Sequence, residues 1–138
     1  MARTRKKIKV LICNRYTLFR EGIKAVLQNG APIEIVGEAS TAGDAIEQLE
    51  RLKPDVVLIE EGTTDLSGFE ATQRIRALDP AVKVLILSHH DDETLMSRCM
   101  EAGAAGCIRK GRRGLHLKAA IHAVCRTGER RNTRTAVA

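Results

Sequence analysis

Pro54-Asp55-Val56-Val57-Leu58-Ile59-Glu60-Glu61-Gly62 is the stretch that decides the fold. A proline stands at its entrance, four apolar residues follow without a polar break, and two carboxylates and a glycine close it. Such a run, short and rich in β-branched side chains, describes a strand covered on both faces, the situation of strands in a parallel sheet. Working outward, similar runs recur at Val10–Cys13 and Val84–Leu87, with weaker ones at Ile33–Val36 and Gly106–Ile108.

Between the runs, apolar residues fall at helical spacing. They are Leu18, Gly22 and Val26 beside Phe19, Ile23 and Leu27; then Ala42, Ala45, Ile46, Leu49 and Leu52; then Phe69, Thr72 and Ile75, with Leu78 near the end. Leu95, Met96, Cys99 and Met100 make a fourth stripe, and Leu117, Ala120, Ile121, Val124 and Cys125 a fifth. Ser67-Gly68-Phe69-Glu70 has the form of a capping box, Asn29-Gly30 can stop the first helix, and Pro54 and Pro80 precede the third and fourth strands. Five strand–helix units at about 25 residues each predict an α/β fold, a doubly wound five-stranded parallel sheet with right-handed crossovers. Binding residues in such a sheet gather at the carboxyl ends of its strands.

A chain of 138 residues, 43% hydrophobic and 29% charged, suits one compact domain. The expected organisation is a basic N-terminal arm at 1–7, the domain at 8–127 and a basic polar tail at 128–138. No apolar run approaches the roughly 18–20 residues of a membrane span, and the basic N-terminus lacks the apolar stretch of a signal peptide, so no membrane role and a cytoplasmic location are expected. Cys13, Cys99, Cys107 and Cys125 form no CxxC pair and each lies in an apolar segment, the pattern of buried free thiols. Tyr16, Phe19 and Phe69, the only aromatics, are too few for an RNA-stacking sheet. The net charge of +6 divides into +5 over residues 1–9, −7 over 10–108 and +8 over 109–138. The basic ends act either as solvated arms or as a weak, non-specific nucleic-acid contact.

The strand ends bring Asn14-Arg15-Tyr16-Thr17, Glu60-Glu61-Gly62, Ser88-His89-His90-Asp91-Asp92 and Arg109-Lys110-Gly111 to one rim. No GxGxxG follows the first strand and no GxxxxGK[ST] occurs, which leaves dinucleotide and P-loop phosphate binding without their glycines. Adjacent His89 and His90 point apart on an extended segment, and Asp91-Asp92 read as helix N-terminal residues rather than metal ligands. His116 and His122 have no partner at metal-ligand spacing, and Ser88 has no nucleophile elbow around it.

Leu18-Phe19-Arg20-Glu21-Gly22, Pro54-Asp55-Val56-Val57-Leu58-Ile59, Ser67-Gly68-Phe69-Glu70-Ala71-Thr72, Val84-Leu85-Ile86-Leu87-Ser88 and Glu101-Ala102-Gly103-Ala104-Ala105-Gly106 occur in that order. With these segments the chain resembles the receiver domains of bacterial response regulators, in the NarL/FixJ (LuxR-type) branch, over roughly residues 8–127. The resemblance implies the flavodoxin-like strand order 2-1-3-4-5. It further implies an acidic pair after the first strand that holds Mg²⁺, an aspartate ending the third strand that accepts a phosphoryl group, and a Ser/Thr and a Lys ending the fourth and fifth that bind its oxygens.

Ser88 and Lys110 match those last two positions, but Glu60 stands at the phosphoacceptor, Asn14-Arg15 at the acidic pair and Cys107 at the aromatic switch. The usual Met-Pro after the acceptor is replaced around Thr63-Thr64. Three carboxylates and a lysine would carry −2, whereas Glu60, Arg15, Lys110 and neutral Asn14 carry +1, and zero with Glu61. Mg²⁺ takes carboxylate and other oxygen ligands, so its binding is expected to be lost, and family-type phosphorylation with it. Glu60 exceeds aspartate by about one C–C bond, roughly 1.5 Å, and carries its carboxylate toward the place of a phosphoryl group, where Arg15 or Lys110 can pair with it. Either it locks an active-like state or it is an inert rim residue.

The expected function is an atypical receiver, not an enzyme, that signals through protein contacts. By resemblance the contact face, for a protein partner or a homodimer, combines the fourth helix, fifth strand and fifth helix, Thr94–Ala102 and Gly106–Thr127. Branch members usually continue into a DNA-reading helix-turn-helix, and too few residues follow Thr127 to form one. The rival readings are a receiver still phosphorylated on Glu60, a nucleic-acid binder using the basic ends, and a flavodoxin-like binder of a small anion at the rim.

Overall fold

The structure, a computed structural model, describes residues 7–28, 32–89, 93–109 and 114–126. Strands β1 (Ile8–Cys13), β2 (Ile33–Ala39), β3 (Val56–Glu60), β4 (Lys83–Ser88) and β5 (Gly106–Arg109) alternate with helices α1 (Thr17–Leu27), α2 (Ala42–Leu52), α3 (Gly68–Leu78), α4 (Leu95–Ala102) and α5 (Gly114–Arg126). All strand pairs are parallel, as the apolar runs predict, and the order is β2-β1-β3-β4-β5, as the resemblance implies. The chain reverses its direction of travel across the sheet beside β1, and the crevice at the carboxyl ends of β1 and β3 is where a doubly wound sheet opens to ligands.

Because successive strand side chains point to opposite faces, each central strand feeds two cores. Val57 and Ile59 of β3 join Leu11, Cys13, Val84 and Ile86 beneath α2, α3 and α4. Val56 and Leu58 join Val10, Ile12, Leu85 and Leu87 beneath α1 and α5, where Ile23, Leu27, Leu117, Ile121 and Val124 pack. All five residues of β3 are buried, Glu60 included.

Two expectations need correction. The weak run Ile33–Val36 is only the first half of β2, which continues through Gly37 and Glu38 to Ala39. An edge strand is half exposed, so its later residues do not read as an apolar run. A bulge at Val36 also shifts the register, with Val10 opposite Ile35 but Leu11 opposite Gly37. In α1 Ile23 and Leu27 are buried and Phe19 and Val26 pack partly against the same core, whereas Leu18 is 84% exposed and Gly22 lies outside as well. Helix α4 opens at Leu95, and Asp91-Asp92, read as helix N-terminal residues, lie outside the described residues.

The helix ends follow local chemistry. Ser67 caps α3 through the Glu70 N–H at 3.0 Å, and the Glu70 carboxylate accepts the Ser67 N–H at 3.3 Å, the reciprocal box read from the sequence. The Thr41 hydroxyl accepts the Asp44 N–H at the start of α2, and Lys53, at φ 46°, turns the chain out of α2 before Pro54. Asn29-Gly30 lie outside the described residues; α1 ends at Leu27 with Gln28 as its cap.

Candidate functional site

The ends of β1, β3 and β4 border a cleft of about 380 Å³ lined by Arg15, Tyr16, Glu60, Glu61, Ser88 and Arg98 among others. Parallel pairing sets this meeting point: Cys13 lies opposite Ile59, and Glu60 opposite Leu87, so the residues that follow each strand emerge on one rim. Gly68 brings α3 against the end of β3, its N–H donating to the Glu61 carbonyl at 2.6 Å. A Cβ at position 68 would stand 2.7 Å from the Glu60 carbonyl oxygen, so close an approach of helix to strand requires glycine there.

Asn14 is buried. Its Oδ1 accepts the Tyr16 N–H at 2.8 Å, which fixes the amide orientation, and its Nδ2 has no hydrogen-bond partner. The Arg20 guanidinium donates to the Asn14 carbonyl at 2.6 Å and to Glu38 at 2.9 Å, so the end of β1 is held by α1. Arg15 is exposed, and its guanidinium lies over the Tyr16 ring, 4.9 Å from the centroid. Arg15 does meet Glu60, but through the main chain: its backbone N–H donates to the Glu60 carboxylate at 3.2 Å. Ser88, also buried, donates its hydroxyl to the Glu61 carboxylate. Across the cleft the Arg98 guanidinium stacks on Phe69 at 4.3 Å.

The structure therefore brings Asn14, Arg15, Glu60 and Ser88 to one rim, as the strand-end reading required. Cys107 lies in the core under α4. Lys110 lies outside the described residues, as do His90, Asp91, Asp92, the side chain of His116 and the basic stretches 1–6 and 127–138.

Two carboxylates matter more than the sequence suggested. Glu61 entered only as a unit of charge, yet it holds the Ser88 hydroxyl. Asp65, in a loop with no periodicity to mark it, accepts the N–H groups of Ala42 and Gly43 at 2.9 and 2.8 Å and so ties the β3–α3 loop to the start of α2. The Thr63 hydroxyl bonds to Asp65 and to the Leu66 carbonyl in the same loop, and Gly62 bridges Ser67. These contacts fix the loop that carries Thr63 and Thr64. The carboxylates are felt at Cys13, whose thiol is pushed up to about 12 by burial first and then by Asp65, Glu60 and Asp44. It stays protonated at neutral pH.

Burial works to raise the Asp65 carboxyl, but the N–H groups of Gly43, Ala42 and Leu66 outweigh it and leave its pKa below the ordinary 3.8. Glu38 is held below its ordinary 4.5 by hydrogen bonds from Lys24, at 2.6 Å, and Arg20, against the opposing effect of burial. A carboxylate with a depressed folded pKa contributes stability in full above its unfolded value and loses it as pH falls through the folded one. Unfolding free energy should therefore fall as pH drops below about 4.5, and the doubly substituted Asp65→Asn, Glu38→Gln protein should lose less over that range than the parent. Parallel pH profiles of urea midpoints would refute the assignment.

The description "Response regulator receiver domain" matches residues 10–122. The chain is 36% identical over 104 residues to the transcriptional regulatory protein DegU of Brevibacillus brevis, covering 75% of this chain and 44% of that protein. It is 35% identical over 117 residues to the response regulator UvrY of Escherichia coli strain K12, covering 85% and 54%. This chain thus spans about half the length of these curated relatives. Among solved structures, a LuxR-family two-component response regulator from Aurantimonas sp. SI85-9A1 superposes with a TM-score of 0.86 at 26% identity, covering 96% of this chain and 90% of that one. The signal receiver domain assigned to NarL of Mycobacterium tuberculosis gives 0.83 at 25% identity, with 88% and 98% covered. A (βα)5 sheet in the order 2-1-3-4-5, a strand-end rim at the receiver positions and a match over most of its length agree: the chain belongs to the response regulator receiver domains, on their NarL/FixJ (LuxR-type) branch.

Proposed function

We propose that this receiver is a protein-binding module whose output does not depend on phosphoryl transfer. The observation that carries the reading is that two of the rim's donors are given to the chain's own carboxylates: Ser88 to Glu61, and the Arg15 N–H to Glu60. In a family receiver the Ser/Thr at this position binds a phosphoryl oxygen, so Glu61 supplies internally the acceptor that phosphorylation would otherwise add. This favours the locked reading over the inert one.

The donor set does not suit Mg²⁺. At the acidic-pair positions the ion would meet Asn14, whose amide oxygen is already engaged and whose unpartnered group is a donor, and the cationic Arg15. Without the ion, charge on a transferring phosphoryl group lacks its main stabiliser. The contact surface is the face of α4, β5 and α5, reached by protein partners or a second copy. The context is transcriptional control, in which the longer relatives are named.

Mg²⁺ with beryllofluoride is expected to leave the amide spectrum of the protein unchanged, and acetyl phosphate to add no mass. Saturable Mg²⁺-dependent shifts would overturn the proposal, as would one acid-labile phosphoryl group on Glu60, the outcome of a receiver still phosphorylated there. Steeply salt-dependent duplex binding that vanishes on removal of residues 1–7 and 129–138 would favour the basic ends as the output instead.

A further inference from the structure

Three contacts converge on the side chain of Asn14 and its neighbouring peptide unit. Asn14 Oδ1 accepts the N–H of Tyr16, two positions on, at 2.8 Å. The ring which that bond closes contains the Arg15 nitrogen, so the Asn14 Cγ is folded back toward the main-chain nitrogen that follows it. The N–H of that same nitrogen donates to the Glu60 carboxylate at 3.2 Å. Asn14 Nδ2 is buried and has no hydrogen-bond partner among the described residues. We infer that Asn14 is a deamidation site assembled by the fold, at which the Arg15 main-chain nitrogen attacks the Asn14 side-chain amide with Glu60 as its base.

Each contact has a part in that reaction. A general base must stand within about 2.6–3.2 Å of the atom whose proton it removes, and Glu60 does so at the Arg15 nitrogen. Negative charge that develops on a carbonyl oxygen is stabilised by a fixed donor at about 2.7–3.1 Å, and the Tyr16 N–H occupies that place at Oδ1. Nδ2, the leaving group, has no hydrogen bond to give up. The side chain is 1% exposed, which keeps bulk water from the amide and leaves the neighbouring nitrogen as the nucleophile. Holding nucleophile, base and oxyanion donor in place removes the entropic cost of gathering them. In an unfolded chain the base is lost, because Glu60 lies 45 positions from Arg15.

The Arg15 nitrogen forms a bond to Cγ as its proton passes to Glu60, and the electron pair of the C=O double bond moves onto Oδ1. The intermediate collapses by breaking the Cγ–Nδ2 bond, and Nδ2 leaves as ammonia with the proton that Glu60 held. The cyclic imide that remains takes up one water from the cleft that Arg15 and Tyr16 line. Opening at Cγ gives aspartate, and opening at the main-chain carbonyl carbon gives isoaspartate. One amide and one water become one carboxylic acid and one ammonia, with no change of oxidation state. At neutral pH the acid is ionised, so the rim gains a negative charge at position 14. The reaction rests on these local contacts alone and stands apart from the proposed function.

Cleavage after Lys9 and Arg15 releases the site in the peptide Val10–Arg15. After incubation of the folded protein in mildly alkaline buffer, this peptide is expected to carry OH in place of NH₂, as a mixture of aspartate and isoaspartate. The rate should be higher in the folded protein than in urea. Glu60→Gln, whose amide is a far weaker base, should slow the reaction of the folded protein about a hundredfold, the lower end of what acid–base catalysis supplies. Its rate in urea should equal that of the parent. Amide spectra check that the variant keeps the fold, and if it does not, the folded and urea rates of the parent decide. An unchanged peptide would overturn the inference, as would aspartate without isoaspartate, the mark of direct attack by water. So would a rate no higher in the folded protein than in urea, or an undiminished rate in folded Glu60→Gln.

Discussion

Truncating Ile59 to alanine is expected to lower the free energy of unfolding by about 2–5 kcal/mol, a large fraction of the roughly 5–15 kcal/mol that holds a domain of this size. Ile59 is fully buried in the central strand, paired with Cys13 of β1 on one side and Ile86 of β4 on the other. Its side chain belongs to the core beneath α2, α3 and α4, so neighbours on several elements would have to move to fill the space. The loss adds the transfer term of the deleted carbons to a cavity term that a sheet pinned on both sides relaxes poorly. Urea unfolding should show a lower midpoint with an unchanged slope. Leu78→Ala serves as the comparison: Leu78 is 64% exposed, and its removal should change stability by no more than about 0.5 kcal/mol. Equal losses for the two variants would contradict the packing described here.

Replacing Gly68 by alanine should cost about 1–3 kcal/mol through overpacking and, unlike Ile59→Ala, should disturb the site directly. The added carbon would meet the Glu60 carbonyl oxygen at 2.7 Å and the Glu61 Cα at 3.0 Å, both backbone atoms that cannot rotate aside. Either α3 retreats from β3 or the Glu60-Glu61 turn shifts, which strains the Ser88 to Glu61 hydrogen bond. Amide shifts at Glu60, Glu61 and Ser88 should accompany the lower midpoint. Gly22→Ala makes the opposite case. Its Cβ meets nothing within 4 Å on the exposed side of α1, so it should stabilise by about 0.5–1 kcal/mol. If both substitutions acted alike, the close approach at Gly68 would not be what that glycine serves.

The central strands and the helices were legible because their signals are local and strong. Four consecutive buried residues in Val56–Ile59 or Val84–Leu87 leave no other reading, and Ser67 with Glu70 writes a helix start in four letters. The same logic failed where burial is one-sided. The second half of β2 is an edge that alternates weakly, and a bulge at Val36 breaks its period. Leu18 looked like core because two helical stripes are available in α1, and only packing against α5 and the sheet selects Phe19, Ile23, Val26 and Leu27.

For the site, the amino-acid sequence by itself determined which side chains share the rim, because parallel strands must end together. Tertiary structure alone decided the pairings. Of the two partners expected for Glu60, Arg15 reaches it by a backbone hydrogen bond with its guanidinium turned onto Tyr16, and Lys110 lies outside the described residues. Ser88 met Glu61, 27 positions away, and Asp65 reached across 23 and 22 positions to the start of α2. Strand register and helix packing set which atoms come within 3 Å, and those long-range constraints have no period or motif in the chain.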